Sequence, residues 1–232
     1  MNQNELAMTF FARNPALYVH MSELLRLNRG ELLACRENGV LMAQGKLYLL
    51  GAASAADAAE LLSGMPDTME ELVVCGKEAA QFVKENLPLE ETCECWQAAY
   101  LRREKLPVCG DIRQLDGKYF RAVLEGYSLF QDETYVASRL EAGVMYGIFV
   151  EDKLAGFIGE HGEGSMGMLE VFPAYRRRGL GLALESFQIN RFLEEGRIPF
   201  DQVIVGNEKS LGLQKKLGMT ITRDTVTWLR RK

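Results

Sequence analysis

Apolar residues fall along the chain in short runs separated by turn-forming clusters, and the runs alternate between two spacings. From Asn28 to Met65 they read as a strand, a Glu37-Asn38-Gly39 turn and a second strand, then an alanine-rich helix. That helix starts at Ser54, with Asp57 three residues on as a variant capping box. "EELVVCG" follows as a short buried strand, "KEAAQFVKENL" as a helix and "TCECWQAAYL" as a strand. This order implies an α/β layer over a largely apolar sheet. Charge, proline and glycine then gather in "REKLPVCGDIRQL", where a domain boundary is expected: 1–107 forms a smaller α/β domain and 108–232 a second one.

Beyond the boundary, "DIRQL" reads as a strand, and "GKYFRAVLEGYSLF" and "DETYVASRLEAG" as helices with apolar positions three and four apart. "VMYGIFV" and "LAGFIGEH" form a strand pair turning at Glu151-Asp152-Lys153, and "MGMLEVF" is a further strand that ends at Pro173. A long helix from about Leu180 stops at Gly196, a natural C′ residue. The strand "DQVIVG", the short helix "EKSLGLQKKLG" and a terminal strand pair around Arg223-Asp224 complete the chain.

Charge and cysteine content narrow the function classes. The 232 residues carry 27 basic and 32 acidic side chains, of which 10 and 15 lie before the boundary at Pro107. That balance supplies no global field for a nucleic acid or an anionic membrane. The start has no charged region leading into an apolar one, and no run reaches the ~18 apolar residues of a membrane span, so a soluble cytoplasmic protein is expected. Cys93-Glu94-Cys95 could chelate a metal, but no C-x-x-C pair occurs and His20 and His161 are distant in sequence, so ordinary reduced cysteines and no metal are expected.

The chemistry concentrates in "VFPAYRRRGLGLAL", Val171 to Leu184. A strand, an arginine-rich turn and Gly179-Leu180-Gly181 lead into a helix, which puts unpaired amides and a positive dipole end at one point. Glycine permits the close approach and the backbone angles that a pyrophosphate requires there. Taken alone, the turn could equally be an exposed basic connector. A Walker-type phosphate loop is absent, and the G-x-G-x-x-G run at Gly162–Gly167 leads into a strand where a dinucleotide site needs a helix.

Arg176-Arg177-Arg178-Gly179-Leu180-Gly181 resembles the R/Q-x-x-G-x-G/A signature of the GNAT (GCN5-related N-acetyltransferase) family. "LEVFPAY" is similar to that family's fourth strand and Asn207–Met219 to its second signature, with a weaker likeness to the glycine N-acyltransferase branch. The resemblance covers roughly Gly110 to Lys232. It implies a mixed, mostly antiparallel twisted sheet flanked by helices, with acyl-CoA held where two strands splay apart. Arg176, Arg177, Arg178, Gly179, Leu180 and Gly181 would wrap the pyrophosphate, Leu169 to Val171 would pair with pantetheine, and Asn207, Ser210 and Gln214 would lie beside it. The first half has no such turn, although its order of elements is loosely that of a degenerate GNAT-like half.

Acyl transfer to an amine needs a neutral nucleophile, an oxyanion donor and a proton for the departing thiolate. Glu170 and Glu160 are the candidate bases, with His161 as a third; an exposed strand glutamate is otherwise simply solvated. Gln214 stands where the family carries a tyrosine that protonates the thiolate, and glutamine cannot do so. Tyr127, Phe130 and Tyr135 fall where the family forms its acceptor lid, yet aromatics at helical spacing also pack cores. The expected function is transfer from acetyl-CoA, or another acyl-CoA, to a small amine or amino-acid-like acceptor in a ternary complex, by a monomer or homodimer. A non-catalytic acyl-CoA-binding module and a protein N-acetyltransferase are the alternatives.

Overall fold

A computed structural model describes residues 2–65, 69–127 and 132–231. By its contacts the chain divides into two units. One comprises Met1–Ala99, Gln202–Lys215 and Met219–Lys232, the other Tyr100–Asp201 and Lys216–Gly218.

Asn2 starts the first unit with a full capping box: its side chain accepts from the Glu5 amide while Glu5 accepts from the Asn2 amide. Helices α1 (Gln3–Phe11) and α2 (Val19–Arg26) follow, and the apolar pattern above assigned neither of them. They carry Phe10, Phe11, Tyr18, Met21 and Leu24 into a core with Val40, Met42 and Leu49 of a sheet. Strands β1 (Glu31–Arg36), β2 (Gly39–Gln44) and β3 (Leu47–Ala52) form an antiparallel meander. The expected second strand is therefore two strands. Gly45, at φ 60°, and Lys46 make a two-residue hairpin inside what reads as one apolar run.

Ser54 caps α3 (Ala55–Leu62) as expected, its oxygen accepting from the Asp57 amide, an interaction worth about 1 kcal/mol. This helix is the crossover that lets β4 (Glu71–Cys75) pair parallel with β3. With α4 (Lys77–Asn86) it covers the second face of the sheet, over Leu41, Leu50, Leu72 and Val74. β5 (Leu89–Ala99) ends this stretch.

In the second unit, β6 (Asp111–Gln114) is followed by a 3₁₀ turn at Gly117–Tyr119, α5 (Phe120–Gly126) and α6 (Glu133–Glu141). Phe130 lies outside the described residues. β7 (Tyr146–Val150), β8 (Lys153–Glu160) and β9 (Met166–Val171) then add antiparallel neighbours in the order β6-β7-β8-β9. A 3₁₀ turn at Pro173–Tyr175 leads to α7 (Leu180–Glu194), which ends before Gly196 at φ 68° as expected. α5 and α6 pack Val123, Val136 and Leu140 against Phe157 and Met168, and α7 packs Leu184 with Ile148 and Ile158.

β10 (Phe200–Ile204) begins in this unit. α8 (Glu208–Leu217) and β11 (Thr220–Arg231) follow, and β11 enters the first unit's sheet between β4 and β5, antiparallel to both. The expected terminal strand pair is thus a single strand. A shift in register between Ile221 and Thr225 absorbs the polar Arg223-Asp224 stretch. Among the described residues no helix is long and apolar enough to cross a membrane.

Candidate active site

β9 is irregular where chemistry was expected of it. On β8, Phe157 and Gly159 stand two residues apart, while their partners Glu170 and Gly167 on β9 stand three apart, so β9 carries one extra residue. Met168 takes up the excess at φ 50°, a left-handed conformation that costs a non-glycine residue about 1–3 kcal/mol and re-aims the strand. Past the bulge, the Phe172 amide donates to the Ala155 carbonyl, which makes Gly156 and Val171 a non-hydrogen-bonded pair. The amide and carbonyl of Val171 itself consequently face the other edge of β9. On that edge the described pairing with β10 is one parallel pair, Asp201 with Met166. From Gly167 to Val171 the edge has no ladder partner among the described residues.

This strand runs straight into the arginine turn. Arg177 lies at φ 63° and Gly179 at φ 79°, so two left-handed residues flank Arg178 and curl the main chain. Gly179 is the N-cap of α7, no side chain caps the helix and no acidic residue occupies its first turn. Among the described residues, no hydrogen-bond acceptor is found for the amides of Arg177 to Leu182. A 15-residue helix ending this way favours an anion by about 0.3–1 kcal/mol from its dipole, before any direct hydrogen bond is counted. A Cβ at Gly179 would meet nothing within 4 Å, so the glycine serves the backbone angle and not packing. Arg176, Arg177 and Arg178 are exposed; Arg178 lies over the Tyr175 ring at 5.6 Å. Arg176 folds back along β9, donating from Nε to the Val171 carbonyl at 2.8 Å and from Nη2 to Glu170 Oε1 at 3.1 Å.

The carboxylates differ sharply. Glu160, at the end of β8, is 5% exposed, and both its oxygens accept from Arg197, at 2.7 and 2.9 Å. Glu195 and the Gly164 carbonyl also hold that guanidinium. Protonating Glu160 would break a buried ion pair, so its geometry is that of a structural carboxylate. Glu170, half-buried on β9, is paired with the exposed Arg176. His161 leads the turn between β8 and β9, where its amide donates to Ser165 and its carbonyl accepts from Gly164, a strand connection as expected of the glycine run. Its Nδ1 lies 2.6 Å from the Tyr135 hydroxyl. Burial raises the phenols of Tyr127 and Tyr135, with nearby Glu163 adding to both.

Asn207, Ser210 and Gln214 belong to α8 and its start, in the first unit. Asn207 caps that helix, its Oδ1 accepting from the Ser210 amide at 3.2 Å. Gln214 is fully buried, and its carbonyl accepts from the Met219 amide. Neither Arg197 as partner of Glu160 nor the Tyr135–His161 bond was foreseen. Arg197 follows a C-capping glycine and reads as a solvated helix-end charge, and Tyr135 and His161 stand 26 residues apart on different elements.

Residues 143–229 match the family model of the FR47-like proteins. Over its full length the chain is similar to a Drosophila protein of solved structure (TM-score 0.69, 14% identity, 99% of this chain and 97% of the other). It is similar also to the GCN5-related N-acetyltransferase from Kribbella flavida (0.57, 13%, 93% and 95%) and to a GCN5-related N-acetyltransferase-like protein from Streptococcus suis (0.56, 15%, 99% and 98%). The fold is that of the GNAT family. The resemblance carried by "LEVFPAYRRRGLG" is borne out, and so is the mixed, mostly antiparallel architecture expected from it. No curated protein matches the chain. Within the GNAT fold, the bulged β9, its open edge and the uncapped α7 are the features with chemistry to offer.

Proposed function

We propose that the chain is an acyl-CoA-dependent N-acyltransferase that moves an acyl group, acetyl by preference, to a small amine or amino-acid-like acceptor. One observation carries this reading: the unpaired edge of β9 at Val171 leads directly into the left-handed turn at Arg177–Gly179 and the uncapped start of α7. Pantetheine is an amide-bearing chain that can pair with such an edge as a strand would, and a pyrophosphate suits the amides that follow. An amide beside the thioester stabilises the oxyanion, so the acyl carbon is attacked directly by the amine without a covalent enzyme intermediate. For pantetheine to pair with the Val171 carbonyl, Arg176 has to leave it, and its guanidinium is long enough to turn toward a phosphate instead. Asn207, Ser210 and Gln214 are assigned to the pantetheine by family resemblance. The boundary at 107/108 and the origin of the first half as a degenerate copy belong to the same proposal.

Calorimetric titration with CoA, paired with release of free thiol from acetyl-CoA across a panel of amines, tests it. Binding together with turnover is the expected result. Binding without turnover would support a non-catalytic acyl-CoA module, a reading favoured by Gln214 in place of an acid and by Glu160's ion pair. No binding would overturn both.

A further inference from the structure

The proposed reaction needs somewhere for the acceptor's proton to go, since a primary amine with a pKa near ~10 arrives as an ammonium ion. Glu160 is held by Arg197 and Glu170 by Arg176, while the Tyr135–His161 pair is built into the same unit beside β9. The Tyr135 hydroxyl lies 2.6 Å from His161 Nδ1, and the two rings stack at 26° with centroids 6.0 Å apart. The Tyr135 hydroxyl can donate or accept, as can a ring nitrogen according to its tautomer, and the route below uses the arrangement in which the hydroxyl donates to His161 Nδ1. The far side of that imidazole rests on Gly167, where a Cβ would come within 2.3 Å of Nε2, so only glycine at this position lets the ring lie against β9. Gly167 immediately precedes the bulged Met168, two residues before Leu169 on β9. The charged and titratable groups around the pair are Glu163, Tyr127 and Arg139, and Tyr127 in turn faces Glu163, Glu170 and Asp201.

Resting on the N-acyltransferase reading, we propose that Tyr135 and His161 accept the proton of the acceptor amine, Tyr135 touching the amine and His161 acting through it. The ammonium N–H bond breaks and its electron pair stays on nitrogen. The proton passes to the Tyr135 oxygen as Tyr135 gives its own to His161 Nδ1, leaving an imidazolium. The free amine then forms the N–C bond, the C–S bond breaks with its electrons on sulfur, and a second N–H proton goes to the thiolate. The imidazolium discharges to water. Tyr135 is thus the catalytic residue and His161 the positioning and proton-holding one.

The chain has two histidines, and His20 is fully buried in the first unit, so the His161 ring can be followed as a separate resonance. The experiment follows the His161 ring by NMR in the full chain with 13C-labelled histidine, adding n-butylammonium chloride or sodium butyrate. Expected is a saturable shift of the His161 resonance with butylammonium and none with butyrate. Tyr135→Phe, which keeps the stacked ring, and the second variant His161→Gln should both bind CoA by calorimetry as the wild type does. Tyr135→Phe should lose the butylammonium response. An unmoved His161 resonance, an equal response to butyrate, or a response that survives in Tyr135→Phe overturns the proposal. If CoA binds the wild type in that case, only the proton route fails. If CoA does not bind, it is the acyltransferase reading that fails.

Discussion

His20 sets a pH limit on stability that can be worked out in advance. It is fully buried on α2, with Nδ1 3.1 Å from Gln97 Nε2 and Nε2 3.6 Å from Cys75 Sγ, and Met21 adjacent. Neither of those partners carries a charge to compensate an imidazolium, and burial lowers its pKa from 6.5 to about 3. Because the folded value lies below the unfolded one, the unfolded chain takes up the proton first as pH falls. The stability conferred by neutral His20 is complete above about pH 6.5 and declines from there toward pH 3. At about 1.4 kcal/mol per pH unit, roughly 3 kcal/mol is lost by pH 4.5 and about 4 kcal/mol by pH 3, where the folded imidazole begins to protonate. That is a large share of the ~5–15 kcal/mol that typically holds a domain together.

Urea unfolding across pH 7.0 to 4.5 measures this, and both tryptophans, Trp96 and Trp228, lie in the same unit as His20 and report on it. His20→Gln should start less stable at pH 7, because it disturbs the packing, and lose less than the wild type on acidification. Carboxylate effects are common to both proteins and cancel in the difference. A wild-type-minus-variant stability that stays flat between pH 6.5 and 4.5 would refute the argument, since it would mean that His20 finds water or a counter-charge when protonated. The neighbouring Cys75, whose thiol burial pushes well up, should also resist alkylation in the folded protein.

Gly179→Val places a β-branched residue at φ 79° and is expected to lower CoA affinity at least tenfold in calorimetry with little change in fold; unchanged affinity would remove the turn from the site. Arg197→Met leaves Glu160 buried without its guanidinium and should cost about 3–5 kcal/mol in urea unfolding, whereas the double variant with Glu160→Gln should recover part of that loss. Gly167→Ala should displace His161 from β9, seen as a shifted His161 ring resonance, while leaving CoA binding intact.

Elements with a local cause could be read from residues alone. Ser54 with Asp57, Pro173 closing β9 and Gly196 closing α7 are each decided within four residues, and each appears where expected. Elements decided by distant partners could not be read in the same way. β11 looks like two short strands because Arg223 and Asp224 interrupt its apolar pattern. β5 and β4 hold it as one, from Thr220 paired with Ala99 to Arg231 paired with Leu89. α1 escaped notice because its apolar face is carried by Ala7, Phe10 and Phe11 within nine residues, too short for periodicity to declare itself.

The same division runs through the candidate site. The Arg176–Gly181 turn is legible because a phosphate cradle is made of consecutive residues, so its glycines and arginines must be neighbours in sequence. Proton transfer has no such requirement. Its partners need only meet in space, and whether a carboxylate can act depends on what it already binds. Glu160 and Glu170 look equivalent in the sequence, yet one is enclosed by Arg197 at 4% side-chain exposure and the other touches an Arg176 that is 55% exposed. By the same logic, Gln214 in the place of a proton-donating tyrosine does not by itself rule out catalysis: it moves the search to other proton carriers. In the second unit, Tyr135 and His161 are brought within hydrogen-bond reach of each other beside β9.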